Sequence, residues 1–149
     1  MDNWTPFSYI SDGLAIGGDP TQNPNVFPAF DAIVKLNEEY GFVRAPSTKF
    51  VLWAPLTDGP PVPSLDELRV IVEFIHGNIS AGRSVLVHCA AGVSRSTTVA
   101  TAFYMYHFGW SRKEAVVHVS ERRKCMRPNK AFWPLLKDWE RHLQGELSV

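Results

Sequence analysis

Cysteine is scarce in this chain: Cys89 and Cys125 are the two cysteines among its 149 residues. Two are too few for the disulfide framework of a small secreted domain, and the sequence shows no CxxC motif or Cys/His pair at metal-ligand spacing. The sequence therefore predicts free thiols, no metal site, no cofactor and a reducing, cytoplasmic location.

Net charge and long apolar runs are also missing. Fifteen Lys and Arg balance fifteen Asp and Glu, so no overall charge attracts the chain to nucleic acid or to an anionic membrane. No apolar run approaches the ~20 residues that span a bilayer, and the N-terminal residues do not have the pattern of a signal peptide. We expect neither nucleic acid nor a membrane as a partner, and any anion site must be local. No signal for an oligomeric state is present.

The apolar patterns predict one α/β domain over residues 1–149, with a central, mostly parallel sheet of about four to five strands flanked by helices. Segments typical of buried strands are LAIGG (14–18), AIVKLN (32–37), FVLWAPL (50–56) and SVLVH (84–88). Helices are predicted after Ser64, from about residue 94 to 107, after Ser111 and after Pro128. Ser64 with Glu67, and Ser111 with Glu114, have the spacing of capping boxes.

The loop CAAGVSR (89–95) joins the last predicted strand to the second helix. Its small residues allow close backbone approach, so its N–H groups can converge on a tetrahedral anion beside the positive end of the helix dipole. Arg95 can add a bidentate clamp. The same field favours the thiolate of Cys89, which would then be an in-line nucleophile toward a bound phosphate ester.

A protein that cleaves phosphate esters also needs an acid to protonate the leaving oxygen. Asp58, in the proline-rich segment PLTDGPPVPS (55–64), is the leading candidate. Asp66 and Glu67 are rivals, but both lie in the first turn of a predicted helix, where capping explains a carboxylate. Asp19, in an early turn, is interpreted as structural, with a place at the rim of the site as the alternative.

HCAAGVSRST resembles the HCxxGxxRS/T signature of the cysteine-dependent protein tyrosine phosphatases, and AGVSRS is similar to that of the dual-specificity branch. The resemblance extends over about residues 8–143 and implies the cysteine-phosphatase fold. It implies phosphate binding by the loop residues Ala90, Ala91, Gly92, Val93, Ser94 and Arg95, and supports Asp58 as the acid and later the base.

Three further roles rest on this resemblance alone. Ser96 would donate a hydrogen bond to the sulfur of Cys89, His88 would orient the loop, and Asn129 would brace it. Without the resemblance, His88 reads as a core histidine, Ser96 as an early-helix serine and Asn129 as a turn residue. Cys125 is interpreted as inert, with a resolving thiol as the alternative. The basic residues at 122, 123, 124 and 127 are interpreted as a solvated helix face, or as a source of positive potential near the pocket.

The resemblance implies a phosphatase acting on phosphotyrosine, and on phosphoserine or phosphothreonine if the pocket is shallow, with a phosphorylated protein or peptide as partner. One alternative is a non-protein substrate: a phosphoinositide, a phosphoglucan or an RNA 5′-phosphate. The loop has no lysine, which disfavours a phosphoinositide. The other alternative is a catalytically weak phosphate-binding module, which the presence of both Cys89 and Arg95 disfavours.

Overall fold

A computed structural model describes residues 6–20, 29–39 and 50–145. Five strands form one sheet in the order β1-β2-β5-β3-β4. β1 is antiparallel to β2, and the remaining neighbours are parallel. The strands are β1 (Phe7–Ser11), β2 (Leu14–Gly17), β3 (Ala32–Lys35), β4 (Phe50–Trp53) and β5 (Val85–His88). The predicted fold class is therefore confirmed.

Strand β1 was not among the predicted strands. Its pairing with β2 brings Ser11 opposite Leu14, so Asp12 and Gly13 form the turn of a hairpin. Gly13 has a φ of 85°, which a side chain rarely tolerates and which Asp-Gly turns commonly use. The Asp-Gly pair was the sequence signal for this hairpin.

Among the described residues, one helix lies between β4 and β5 and three follow β5. The first and third helices begin with the predicted capping boxes at Ser64 and Ser111. The apolar residues of these helices share one core with the strand side chains of one sheet face, while Ala15, Ile33 and Leu86 pack in a second cluster. Among the described residues, no helix is long and apolar enough to cross a membrane. The helices are α1 (Leu65–Ser80), α2 (Arg95–Phe108), α3 (Arg112–Arg122) and α4 (Phe132–Leu143).

The sheet topology determines where a site can form. Strands β2, β5, β3 and β4 run parallel, so their carboxyl ends lie at one edge of the sheet. The segments that follow these ends meet there, as ligand-binding loops do in open parallel sheets. The loop at residues 89–94 follows the central strand β5, and the segments after β2, β3 and β4 surround it.

Candidate active site

Cys89 directly follows β5 and is buried, with 2% of its surface exposed. Its sulfur lies 3.4 Å from the hydroxyl oxygen of Ser96 in the first turn of α2. A serine hydroxyl at that distance can donate to a thiolate. The structure therefore brings together two residues that the family resemblance paired.

The carbonyl groups of the loop are held from behind by other parts of the chain. The carbonyl oxygen of Ala90 accepts from the backbone N–H of Asp19 at 3.0 Å, and that of Val93 accepts from the backbone N–H of Arg127 at 2.7 Å. Those of Ala91 and Gly92 accept from the guanidinium of Arg123, at 3.4 and 2.9 Å. Because these carbonyls are bonded to the rest of the protein, the N–H groups of such a loop can point the opposite way, toward a bound anion.

Arg123 is the residue that the sequence interpretation placed wrongly. It was grouped with a solvated basic face, but its side chain is fully buried. It also donates to the hydroxyl of Ser8 at 3.0 Å. Burial lowers the pKa of Arg123. The reason for its burial is its position at the end of α3, where the chain turns back beneath the loop.

Gly92 lies close to the end of β2. Its φ is 70°, and an added Cβ would lie 2.4 Å from the backbone carbon of Gly17 and 2.6 Å from the backbone nitrogen of Gly18. No side chain fits in that space without movement of backbone atoms. The glycine thus permits the curvature that the signature requires.

Arg95 begins α2 and is buried, with 5% of its surface exposed. Its two terminal nitrogens donate to both carboxylate oxygens of Glu39, at 2.9 and 3.0 Å, and one of them also donates to the carbonyl of Leu56 at 3.1 Å. Its Nε is buried and makes no hydrogen bond within the described residues. The guanidinium therefore has one edge fixed by Glu39, while the edge that includes Nε suits an anion such as phosphate.

The charges of this pair support each other. The hydrogen bond from Arg95 lowers the pKa of Glu39 to about 2. Burial acts to lower the pKa of Arg95, but the hydrogen bond to Glu39 and the charges of Cys89, Glu39 and Asp58 raise it overall. Both groups are therefore ionised across the neutral range. Glu39 was not recognised from the sequence, although its position after a parallel strand next to β5 was the signal that could have found it.

Asp58 is exposed on the segment after β4 and contacts the end of the loop through Ser94. The Ser94 hydroxyl donates to Asp58 Oδ1 at 2.6 Å. Asn129 donates from its backbone N–H to the same hydroxyl oxygen at 2.7 Å and from Nδ2 to the backbone carbonyl of Asp58 at 3.0 Å. The structure thus places Asp58, Ser94 and Asn129 in one hydrogen-bonded group at the end of the loop.

His88 and Asp19 lie behind the loop. His88 is buried, its Nδ1 has no hydrogen-bond partner among the described residues, and burial lowers its pKa to about 4. Asp19 accepts from Lys35 at 2.9 Å and from Asn37 at 2.8 Å. Asp19 is therefore a structural tie between the segments after β2 and β3. Within the described ranges, no group of three or more His, Cys, Asp or Glu residues is placed to hold a metal ion.

Comparisons with known proteins agree with this geometry. The sequence model described as "Dual specificity phosphatase, catalytic domain" matches residues 16–142. The human dual specificity protein phosphatase 14 is 40% identical over 143 residues, which cover 94% of this chain and 72% of the human protein. A rhodanese domain-containing dual specificity protein phosphatase of Dictyostelium discoideum is 36% identical over 93 residues, and this match covers 62% of the chain and 20% of that protein.

Solved structures share this fold. The crystal structure of human DUSP28 superimposes with a TM-score of 0.85 at 26% identity, covering 94% of this chain and 96% of that one. The crystal structure of PTPMT1 in complex with PI(5)P has a TM-score of 0.82 at 20% identity, covers 97% of this chain and 100% of that one, and shows a shared fold. The chain belongs to the dual specificity phosphatase family and is a cysteine-dependent phosphatase.

Proposed function

We propose that this chain hydrolyses phosphate monoesters of proteins through a phosphocysteine intermediate on Cys89. The observation that carries the proposal is the convergence of a buried cysteine, the guanidinium of Arg95 and the carboxylate of Asp58 around a single loop whose carbonyls are held from behind. This arrangement provides a nucleophile, a dianion site and a proton donor, which are the groups that phosphoryl transfer requires.

In the first step the thiolate of Cys89 attacks phosphorus, the phosphorus–sulfur bond forms and the bond to the leaving oxygen breaks. Asp58 gives its proton to that oxygen. Arg95 and the loop N–H groups hold the equatorial phosphate oxygens, where charge is spread in the transition state.

In the second step a water molecule attacks the phosphocysteine and Asp58 takes a proton from it. The phosphorus–sulfur bond breaks, inorganic phosphate leaves and the thiolate is regenerated. The hydroxyl of Ser96, 3.4 Å from the sulfur, stabilises the departing thiolate by donating a hydrogen bond. Asp58 replaces the proton that it gave to the leaving oxygen with one taken from water, and the sulfur regains its electron pair. No atom changes its oxidation state, so no redox cofactor takes part.

Phosphorylated proteins are the proposed substrates because the family relatives include the human dual specificity protein phosphatase 14. PTPMT1 was solved with PI(5)P, so a phosphoinositide is the second candidate substrate. The cytoplasmic location expected from the free thiols stays a prediction.

The test compares wild type with Cys89→Ser, using Cys125→Ser as the matched control. Wild type and the control should hydrolyse 4-nitrophenyl phosphate at similar rates, and Cys89→Ser should lose turnover while it still binds orthovanadate or a phosphopeptide. Turnover retained by Cys89→Ser would contradict the phosphocysteine mechanism. A phosphotyrosine peptide, a phosphothreonine peptide and a phosphoinositide assayed with the same preparation would identify the substrate class, and a clear preference for the lipid would overturn the protein assignment.

A further inference from the structure

Ser94 uses its side chain in an unusual way for its position. It is the residue before α2, where a serine hydroxyl normally accepts a hydrogen bond from an N–H group of the first helical turn. Ser94 makes no such cap; its φ and ψ are −120° and −69°. Its hydroxyl instead contacts Asp58 and Asn129. The helix gives up a stabilising cap, and the hydroxyl is directed toward the acid.

The hydrogen bonds of Ser94 determine which carboxylate oxygen of Asp58 can carry the acidic proton. A hydroxyl has one hydrogen to donate. The Ser94 oxygen accepts from the backbone N–H of Asn129, and its own hydrogen goes to Asp58 Oδ1 at 2.6 Å. When Asp58 is in its acid form, Oδ1 is therefore the accepting oxygen and the acidic proton belongs on Oδ2.

We propose that Ser94 is a positioning residue that holds the carboxyl group of Asp58 with Oδ2 presented to the leaving oxygen. This inference rests on the proposed role of Asp58 as the general acid. Asp58 is an exposed residue on a loop, and a carboxyl group there loses rotational freedom when it is ordered. Ser94 and Asn129 order it before substrate binds, through bonds to Oδ1 and to the backbone carbonyl. A proton donor held in place transfers its proton at a smaller entropic cost.

Leaving groups of different acidity separate this role from a purely structural one. Protonation matters little when the leaving phenol is a strong acid, and it matters most when the phenol is weak. Ser94→Ala should therefore lower kcat/KM by about tenfold for phenyl phosphate and change it little for 2,4-dinitrophenyl phosphate. Ser94→Thr, which keeps the hydroxyl, should restore much of the loss. The basic limb of the pH–rate profile should flatten in Ser94→Ala.

Thr98→Val is the matched control. The hydroxyl of Thr98 donates to the backbone carbonyl of Ser94 at 2.8 Å, so this variant removes a buried hydroxyl beside the same residue without removing the contact to Asp58. Its dependence on the leaving group should equal that of wild type. Orthovanadate binding by each variant verifies that the loop is folded.

A double-mutant comparison completes the test. In an Asp58→Asn background, the addition of Ser94→Ala should cause no further change in leaving-group dependence. A uniform loss across the substrate series, or a further steepening in the Asp58→Asn background, would overturn the role of Ser94 and leave the proposed hydrolysis intact. Absence of turnover by wild type on every aryl phosphate would instead refute the proposed function itself.

Discussion

His88 should make the stability of the protein depend on pH. The folded chain keeps this buried imidazole neutral because burial lowers its pKa from 6.5 to about 4. The charge of Lys35 also acts to lower the pKa, whereas the charge of Asp19 acts to raise it. Between these two values the unfolded chain binds a proton at His88 that the folded chain does not. The free energy of unfolding should therefore be highest above pH 6.5 and should decrease as the pH falls toward 4.

The size of the effect follows from the two pKa values. A difference of about 2.5 corresponds to roughly 3 kcal/mol over the whole range, at ~1.36 kcal/mol for each factor of ten. Most of the interval lies between pH 7 and pH 5, so the contribution of His88 should fall by about 2 kcal/mol across it.

Urea unfolding of wild type and His88→Gln at pH 7 and pH 5 measures this contribution. Glutamine does not titrate, so the variant should lose about 2 kcal/mol less than wild type between the two pH values, whatever its stability at pH 7. The other histidines are the same in both proteins, so their effect cancels in the difference. Equal losses in the two proteins would show that His88 titrates normally in the folded state and would refute the reasoning.

Four further perturbations test the site. Asp58→Asn should lower kcat/KM by about a hundredfold and remove the basic limb of the pH–rate profile; an unchanged profile would assign the acid to another residue. Glu39→Gln should raise the inhibition constant of orthovanadate by about tenfold, because the guanidinium loses a paired, charged partner; an unchanged constant would mean that Glu39 does not position it. Gly92→Ala should lower the free energy of unfolding by about 1–3 kcal/mol more than Gly82→Ala does. Both glycines have a positive φ, but of the two only Gly92 lies where an added Cβ would meet backbone atoms. Equal losses of unfolding free energy in urea would contradict this crowding at Gly92. Orthovanadate should inhibit hydrolysis and EDTA should not, and loss of activity in EDTA would contradict the metal-free expectation.

Local patterns made much of the fold predictable. The capping boxes at Ser64 and Ser111 formed as their spacing predicted, because each is closed by hydrogen bonds between residues three positions apart. The signature loop was recognisable for the same reason: its cysteine, small residues and arginine lie within seven consecutive positions. Such patterns depend on short-range geometry, which a sequence displays directly.

Partners that are distant in sequence could not be read in this way. Glu39 lies 56 positions from Arg95 and reaches it because β3 and β5 are parallel neighbours. Arg123 donates to Gly92 across 31 positions, and its neighbours in the sequence are exposed basic residues that conceal its burial. The role of Ser94 was obscured for a different reason, since a serine before a helix is normally explained by capping.

The order of strands in the sheet determines which segment supports which part of the site. β5 lies between β2 and β3, so the loop after it has a strand end on each side, with the end of β4 one position further along. The segment after β2 fixes a loop carbonyl through Asp19, the one after β3 fixes the guanidinium through Glu39, and the one after β4 carries Asp58. This separation is not complete, because the carbonyl of Leu56, in the segment after β4, also accepts from Arg95. In the proposed mechanism, a nucleophile at the centre of a parallel sheet thus acquires a fixed loop, a fixed cation and an acid from separate parts of the chain.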